Sequence, residues 1–206
     1  MKSFDALNRL IEGNKRFVSG SQSNNRSMTP TDRSALVKEQ NPFAIILGCS
    51  DSRVPAELVF DQGLGDLFVI RVAGNIVSPS QIGSVEFAAE RFGTPLVVVL
   101  GHSFCGAIEA AIEGVGQSGG ETSSPNMNSI VSRIRPCVEN LLELNVELSD
   151  EELFHQAVRA NIRASADHLR HGSQTLERLI AEKKLLVVGA EYSLETGEVE
   201  FFDGMP

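Results

Sequence analysis

The chain carries four short apolar runs: Phe43 to Leu47, Leu67 to Val72 (interrupted by Arg71), Leu96 to Leu100, and Leu185 to Val188. None alternates apolar with polar positions, which predicts strands covered on both faces rather than strands with one wet side. Between the second and third runs, Ile82, Val85, Ala89 and Phe92 recur at spacings of three and four. That is the period of a helix with one apolar stripe. Ala107 to Val115, just after the third run, predicts another helix. Strand and helix thus alternate, which predicts an α/β fold: a mostly parallel central sheet of about four strands with flanking helices. Val199 to Asp203, beyond the turn at Thr196-Gly197, adds a short edge strand to this expectation.

Other helices lie outside the alternation. Phe4, Leu7, Ile11 and Val18 mark an N-terminal amphipathic helix, and Thr29-Pro30 has the form of a helix start with proline at the first position. Ser149 and Glu152 form a capping-box pair that opens a long helix toward Leu169. Gly114 to Asn128 is rich in Gly, Ser and Asn and reads as a loop. The whole is expected to be a single domain over residues 1–206, with an N-terminal helical arm (1–40) and an α/β core with C-terminal helices (41–206).

Composition narrows the partners more than the fold. The 206 residues are 42% apolar and 22% charged, as in a soluble globular protein, and the net charge is −9. Such a balance offers no basic surface for phosphate, so nucleic acid is not an expected partner. No apolar run approaches the ~18 residues of a membrane span. The start, MKSFDALNRL, lacks the apolar core of a secretory signal, so the expected location is cytoplasmic, with no membrane partner. Three cysteines, at 49, 105 and 137, cannot all pair within one chain. In the cytosol such residues are more often metal ligands, nucleophiles or core than disulfides.

Two motifs carry candidate chemistry. Cys49-Ser50-Asp51-Ser52-Arg53 follows the first run, and Gly101-His102-Ser103-Phe104-Cys105-Gly106 follows the third. Ligand sites of open α/β sheets gather beyond the carboxyl ends of strands, where these motifs can meet. Two thiolates and an imidazole form a recognised catalytic zinc set with one position left open, whereas a structural site needs a fourth protein ligand. Cys137 is the one cysteine left for that role, but it lies among helix-like residues away from both strand ends. A cysteine-nucleophile enzyme would leave His102 and Cys105 only partly explained. Asp51 can accept a hydrogen bond from metal-bound water, and Arg53 can hold it by a bidentate pair. His155, His168 and His171 lie on or near the long helix; the last two have helical i, i+3 spacing but read as a solvated helix end.

Taken together, Cys-Ser-Asp-Ser-Arg and Gly-His-x-x-Cys-Gly resemble the motifs of the beta-class carbonic anhydrases, and the similarity runs from about Phe4 to Phe202. The resemblance implies one zinc ion per chain on Cys49, His102 and Cys105. It also implies an Asp51–Arg53 dyad beside the fourth position, which the Asp itself occupies in the resting state of some members. The implied reaction is reversible hydration of carbon dioxide to bicarbonate and a proton by zinc-activated water, in a homodimer or tetramer. Gln40, Phe68 and Phe87 fit substrate-pocket positions formed across a dimer interface, although Phe87 stands where plant-type members usually have tyrosine. Phe68 and Phe87 also fit a plain core role. Arg71 and Tyr192 match two members of an allosteric bicarbonate site, but Ile46 takes the place of its tryptophan and the chain has no Trp. An enzyme without that inhibition is expected. Two alternatives remain open: a carbon disulfide or carbonyl sulfide hydrolase of the same fold, and a non-catalytic zinc-binding sensor.

Overall fold

The computed structural model describes residues 1–22, 34, 36–37, 39–115, 124–144 and 148–205. All four apolar runs are strands: β1 (Ala44–Gly48), β2 (Leu67–Arg71), β3 (Leu96–His102) and β4 (Leu186–Tyr192). The edge strand is β5 (Val199–Asp203), and the sheet order is β2-β1-β3-β4-β5. Strands β2, β1, β3 and β4 pair in parallel, and β5 runs antiparallel to β4. Seven helices are seen among the described residues: α1 (Ser3–Val18), α2 (Ala56–Val59), α3 (Pro79–Phe92), α4 (Gly106–Val115), α5 (Pro125–Glu143), α6 (Asp150–His171) and α7 (Gln174–Ala181).

Continuous apolar strands are explained by two cores. Ile45, Leu47, Val97, Val99 and Val187 face one side and pack with α3 to α7. Ala44, Ile46, Leu96, Val98, Leu100, Val188 and Ala190 face the other and pack with α1, α2 and Tyr192. Every residue of β1 and β3 is buried, so neither face of the central pair tolerates a polar position.

Two helical readings need correction. The face α1 buries is Ala6, Leu7, Leu10, Gly13 and Asn14; Phe4 and Val18 at its ends are exposed. The rotation places Asn14 where it staples distant segments. Its Nδ2 donates to the carbonyls of Val59 (3.1 Å) and Gly197 (2.9 Å), while its Oδ1 accepts from the Val199 amide at 2.9 Å. Nor is Gly114 to Asn128 a loop throughout. Gly114 and Val115 finish α4, and Pro125 to Asn128 open α5. Ser124 caps α5 by accepting from the Met127 amide, with Pro125 at the first helical position, and this local chemistry outweighs the polar composition. The Thr29-Pro30 helix start lies outside the described residues.

The capping box of α6 is present: the Ser149 side chain accepts from the Glu152 amide, and Glu152 Oε2 accepts from the Ser149 amide at 2.9 Å. Ser173 caps α7 in a more buried setting. Its Oγ accepts from the Leu176 amide at 3.2 Å and donates to Glu86 Oε1 of α3 at 2.5 Å. Ser173→Ala removes both bonds and is expected to cost about 1–2 kcal/mol, read as a lower urea midpoint with unchanged slope at fixed protein concentration. An unchanged midpoint would show that solvent replaces the cap without loss.

Candidate metal centre

In the order β2-β1-β3, the chain leaves β1 toward one edge and builds outward from β3 toward the other. The crevice beyond β1 and β3 is therefore the topological switch point of the sheet, where α/β folds open a ligand site. Cys49 stands one residue past β1, His102 ends β3, and Cys105 follows it just before α4. Their ligand atoms all lie within 4.8 Å of one another, and all three residues are buried. The two sulfurs are 4.0 Å apart. A tetrahedral zinc with Zn–S bonds of ~2.3 Å spans a sulfur pair of about 3.8 Å, so the spacing fits.

His102 is oriented by its own loop. Its Nδ1 lies 2.8 Å from the Ser103 carbonyl, which can only accept, so Nδ1 carries the proton. That leaves Nε2, buried and without a hydrogen bond of normal geometry, as the ring nitrogen available to a metal. A metal takes the imidazole in its neutral form, and Nε2 lies within 4.8 Å of both sulfurs. Ser103 is fixed in turn: its amide donates to the Tyr192 carbonyl at 3.0 Å, and its Oγ accepts from the Leu194 amide at 2.9 Å.

The thiols behave as a pair. A hydrogen bond from Cys105, outweighing burial, lowers Cys49 to about 4, and the same bond together with burial pushes Cys105 up. One sulfur is thus ready to lose its proton, and a cation taking both must displace the second. Burial pulls His102 down, yet its contacts with Cys49, the Ser103 carbonyl and Asp51 leave it raised.

Asp51 and Arg53 form the bidentate pair the sequence suggested. Arg53 Nε donates to Asp51 Oδ1 at 3.0 Å and Nη2 donates to Oδ2 at 2.8 Å; the Arg53 amide adds a third bond at 2.9 Å. This fork, against burial, holds the Asp51 carboxyl well below the usual carboxylate range. Asp51 Oδ2 lies 3.9 Å from His102 Nε2, so the carboxylate borders the group while Arg53 retains it. Arg71, from β2, clamps the same loop through the Cys49 carbonyl at 2.9 Å and the Asp51 carbonyl at 2.5 Å.

The other predicted positions fall elsewhere. Phe68, Phe87 and Phe92 form a ring cluster, with centroids 6.3 Å apart for Phe68–Phe87 and 5.6 Å for Phe87–Phe92. Phe87 is 54% exposed. Gln40 is exposed and lines a surface hollow with Val37, Arg91 and Phe92 rather than the Cys-His-Cys group. Cys137 is partly buried on α5 and outside that group, which is the one cluster of its kind among the described residues. His171 pairs with Asp167 at 3.6 Å on the surface of α6, and the exposed His155 pairs with the buried Glu191 of β4 at 3.5 Å. Ile46 is fully buried within β1, whereas Tyr192 is buried against Phe17 at 6.4 Å.

Several contributors escaped the sequence reading. The Phe104 carbonyl accepts from Arg53 Nη2 at 3.1 Å, and Phe104 holds a left-handed φ of 56° to do so. The Gly74 amide donates to Cys49 Sγ at 3.4 Å. The Gly74-Asn75 pair was the available signal, because Gly-Asn after a strand marks a positive-φ turn.

A buried thiol-imidazole-thiol centre at the switch point of a parallel sheet defines an α/β metalloprotein site with an ion-paired carboxylate at its mouth. Comparison with known proteins specifies it further. A family model described as carbonic anhydrase matches residues 44–199. Carbonic anhydrase 2 of Mycobacterium tuberculosis is 38% identical over 194 residues, covering 94% of this chain and 90% of the relative. The structure of the beta-carbonic anhydrase CcaA superimposes with a TM-score of 0.74 at 27% identity, covering 98% of this chain and 93% of that one. A tetrameric beta-carbonic anhydrase of Sordaria macrospora shares the fold, with a TM-score of 0.74 at 23% identity over 96% and 97% of the two chains. This chain belongs to the carbonic anhydrase family, in its beta class.

Proposed function

We propose that this protein catalyses the reversible hydration of carbon dioxide to bicarbonate and a proton, with one zinc ion held by Cys49, His102 and Cys105. The observation that carries the reading is the buried His102 Nε2 within 4.8 Å of two sulfurs 4.0 Å apart, next to a carboxylate already neutralised by arginine. Zinc held there supplies a Lewis acid that makes water nucleophilic near neutral pH.

The chain's own residues supply orientation. Asp51 is kept ionised by Arg53, so it can accept a hydrogen bond from the attacking water but cannot donate one. Accepting fixes one O–H and turns the water's lone pair toward the carbon. Arg53 is positioned by the Phe104 carbonyl, which lies between two ligands of the same centre, so the dyad and the metal loop move as one unit. Every apolar wall around the group excludes bulk water and strengthens these interactions.

Assembly belongs to the same proposal. Strand β2 is an edge strand with half-buried residues from Leu67 to Ile70, and Phe87 projects beside it. A homodimer closing over this edge would bring Gln40, Phe68 and Phe87 of each copy to the site of the other, with a tetramer as the further step. We place the protein in the cytoplasm, where the Cys49 and Cys105 thiols stay reduced. Among the described residues, no helix is long and apolar enough to cross a membrane. The chain is read as one domain, with α1 built into the second core.

Stopped-flow carbon dioxide hydration by zinc-loaded protein tests the reading, with Asp51→Asn beside it. The parent should turn over rapidly between pH 6.5 and 9, and Asp51→Asn should retain its zinc while kcat falls about 100-fold. Absence of turnover in the parent at one zinc per chain would sink the proposed reaction. Full activity in the variant would remove Asp51 from the chemistry alone.

A further inference from the structure

The amide that reaches Cys49 Sγ is itself held from a distance. Gly74 sits in the 3-10 turn Ala73–Asn75 with φ of 69°, followed by Asn75 at φ of 43°. Glycine and asparagine both accept left-handed backbone, so the turn itself is permitted, and what holds it against Cys49 comes from outside it. Support comes from α6: Asn161 Nδ2 donates to the Gly74 carbonyl at 2.8 Å. Asn161 is 2% exposed and stands 87 positions from Gly74 in the chain. Its neighbour Ile162 is seated directly over Gly101, the residue before His102, which fixes where α6 lies along the sheet. Nothing about helix stability calls for an asparagine here, since a buried amide carries a desolvation cost and a low helix propensity.

We propose that Asn161 is a positioning residue for the metal centre: through the Gly74 carbonyl it holds the Gly74 N–H on the Cys49 sulfur. This inference rests on Cys49 being a metal ligand. An N–H···S bond withdraws charge from a thiolate and fixes the direction of its remaining lone pairs. Cys49 stands one residue beyond β1, and its orientation is set by this turn as well as by Arg71. Asn161 therefore tunes how strongly Cys49 donates and how ready the site is to receive the ion.

The test uses the full chain with cobalt(II), zinc and cadmium-113 as probes. Asn161→Leu keeps a branched side chain without the donor, and a cavity of about 140 Å³ beside Asn161 takes the added volume. The expected result is a sulfur-to-cobalt charge-transfer band moved to longer wavelength and a zinc dissociation constant about tenfold higher. Ile162→Val, which loosens the same helix without touching Gly74, should leave the band in place. In the cadmium-113 form of the parent, the Gly74 amide proton should couple to the metal across the N–H···S bond, and Asn161→Leu should abolish that coupling.

Should Asn161→Leu fail to fold, Asn161→Ser is too short to reach Gly74 and is read in the same way. A parent that shows the charge-transfer band but no Gly74 coupling overturns the inference. So does a variant whose band and zinc affinity match those of the parent. A parent that takes up no metal and shows no band overturns the metal reading itself, a separate failure.

Discussion

Replacing Cys49 with serine is expected to leave a folded chain that no longer retains zinc and whose carbon dioxide turnover falls at least about 1,000-fold. The fold should survive because Cys49 lies just beyond β1, and a serine hydroxyl can still accept the Gly74 amide that now points at sulfur. The chemistry should not. A serine hydroxyl keeps its proton at neutral pH and offers a hard, neutral oxygen where the ion needs a soft anion. Only Cys105 would then supply a ligand charge, since imidazole binds a metal as a neutral donor. Metal analysis after exhaustive dialysis and stopped-flow assay on the same sample separate the two effects. Stoichiometric zinc with turnover within tenfold of the parent would remove Cys49 from the ligand set.

The second large effect is expected away from the ligands. A Cβ on Gly101 would fall 2.5 Å from Ile162 Cδ1 and 2.6 Å from Cγ1, with Asn75 Oδ1 at 3.4 Å. Ile162 cannot retreat toward β4, because its Cγ2 already fills the space beside Gly189, where an added Cβ would lie 2.8 Å away. Gly101→Ala must therefore lift α6 from the sheet, at a cost of about 2–3 kcal/mol. Ile162→Ala clears the obstruction. In that background Gly101→Ala should be nearly neutral, giving a coupling of about 1–3 kcal/mol in a double-mutant cycle on urea unfolding. Additive effects would show that α6 is not seated by this contact.

These two predictions also show which parts of the molecule the sequence made legible. The central strands were readable because β1 and β3 are buried on both faces, so no polar residue interrupts them. Cys49, His102 and Cys105 stood out because the residue types are few and each pair of motifs follows an apolar run. The face of α1 was misread for a physical reason. Phe4 and Val18 fit the helical period, but close packing selected the small Gly13 and the hydrogen-bonding Asn14 instead. Composition hid the start of α5, since a Ser-Pro cap looks like any polar loop until its amide partner is seen. Asn161 was invisible because its meaning depends on a carbonyl on the other side of the chain. Gln40 and the Phe68–Phe87 pair were singled out by resemblance; in the fold Gln40 lines a surface hollow and the two rings pack together.

The strand order carries a consequence for how the protein is made. Strand β3 pairs with β1 on one side and with β4 on the other, yet β4 starts only at Leu186, long after His102 ends β3. At ~5–20 residues per second, about 5–20 s separate the emergence of the two strands from a ribosome. Throughout that interval the fully buried strand β3 has one open edge, although all three metal ligands have already been synthesised. Asn14 waits longer still, since its last partner is the Val199 amide. Until β4 is made, the open edge of Leu96 to Leu100 is available to other chains, and truncation before Leu186 should be felt first as aggregation.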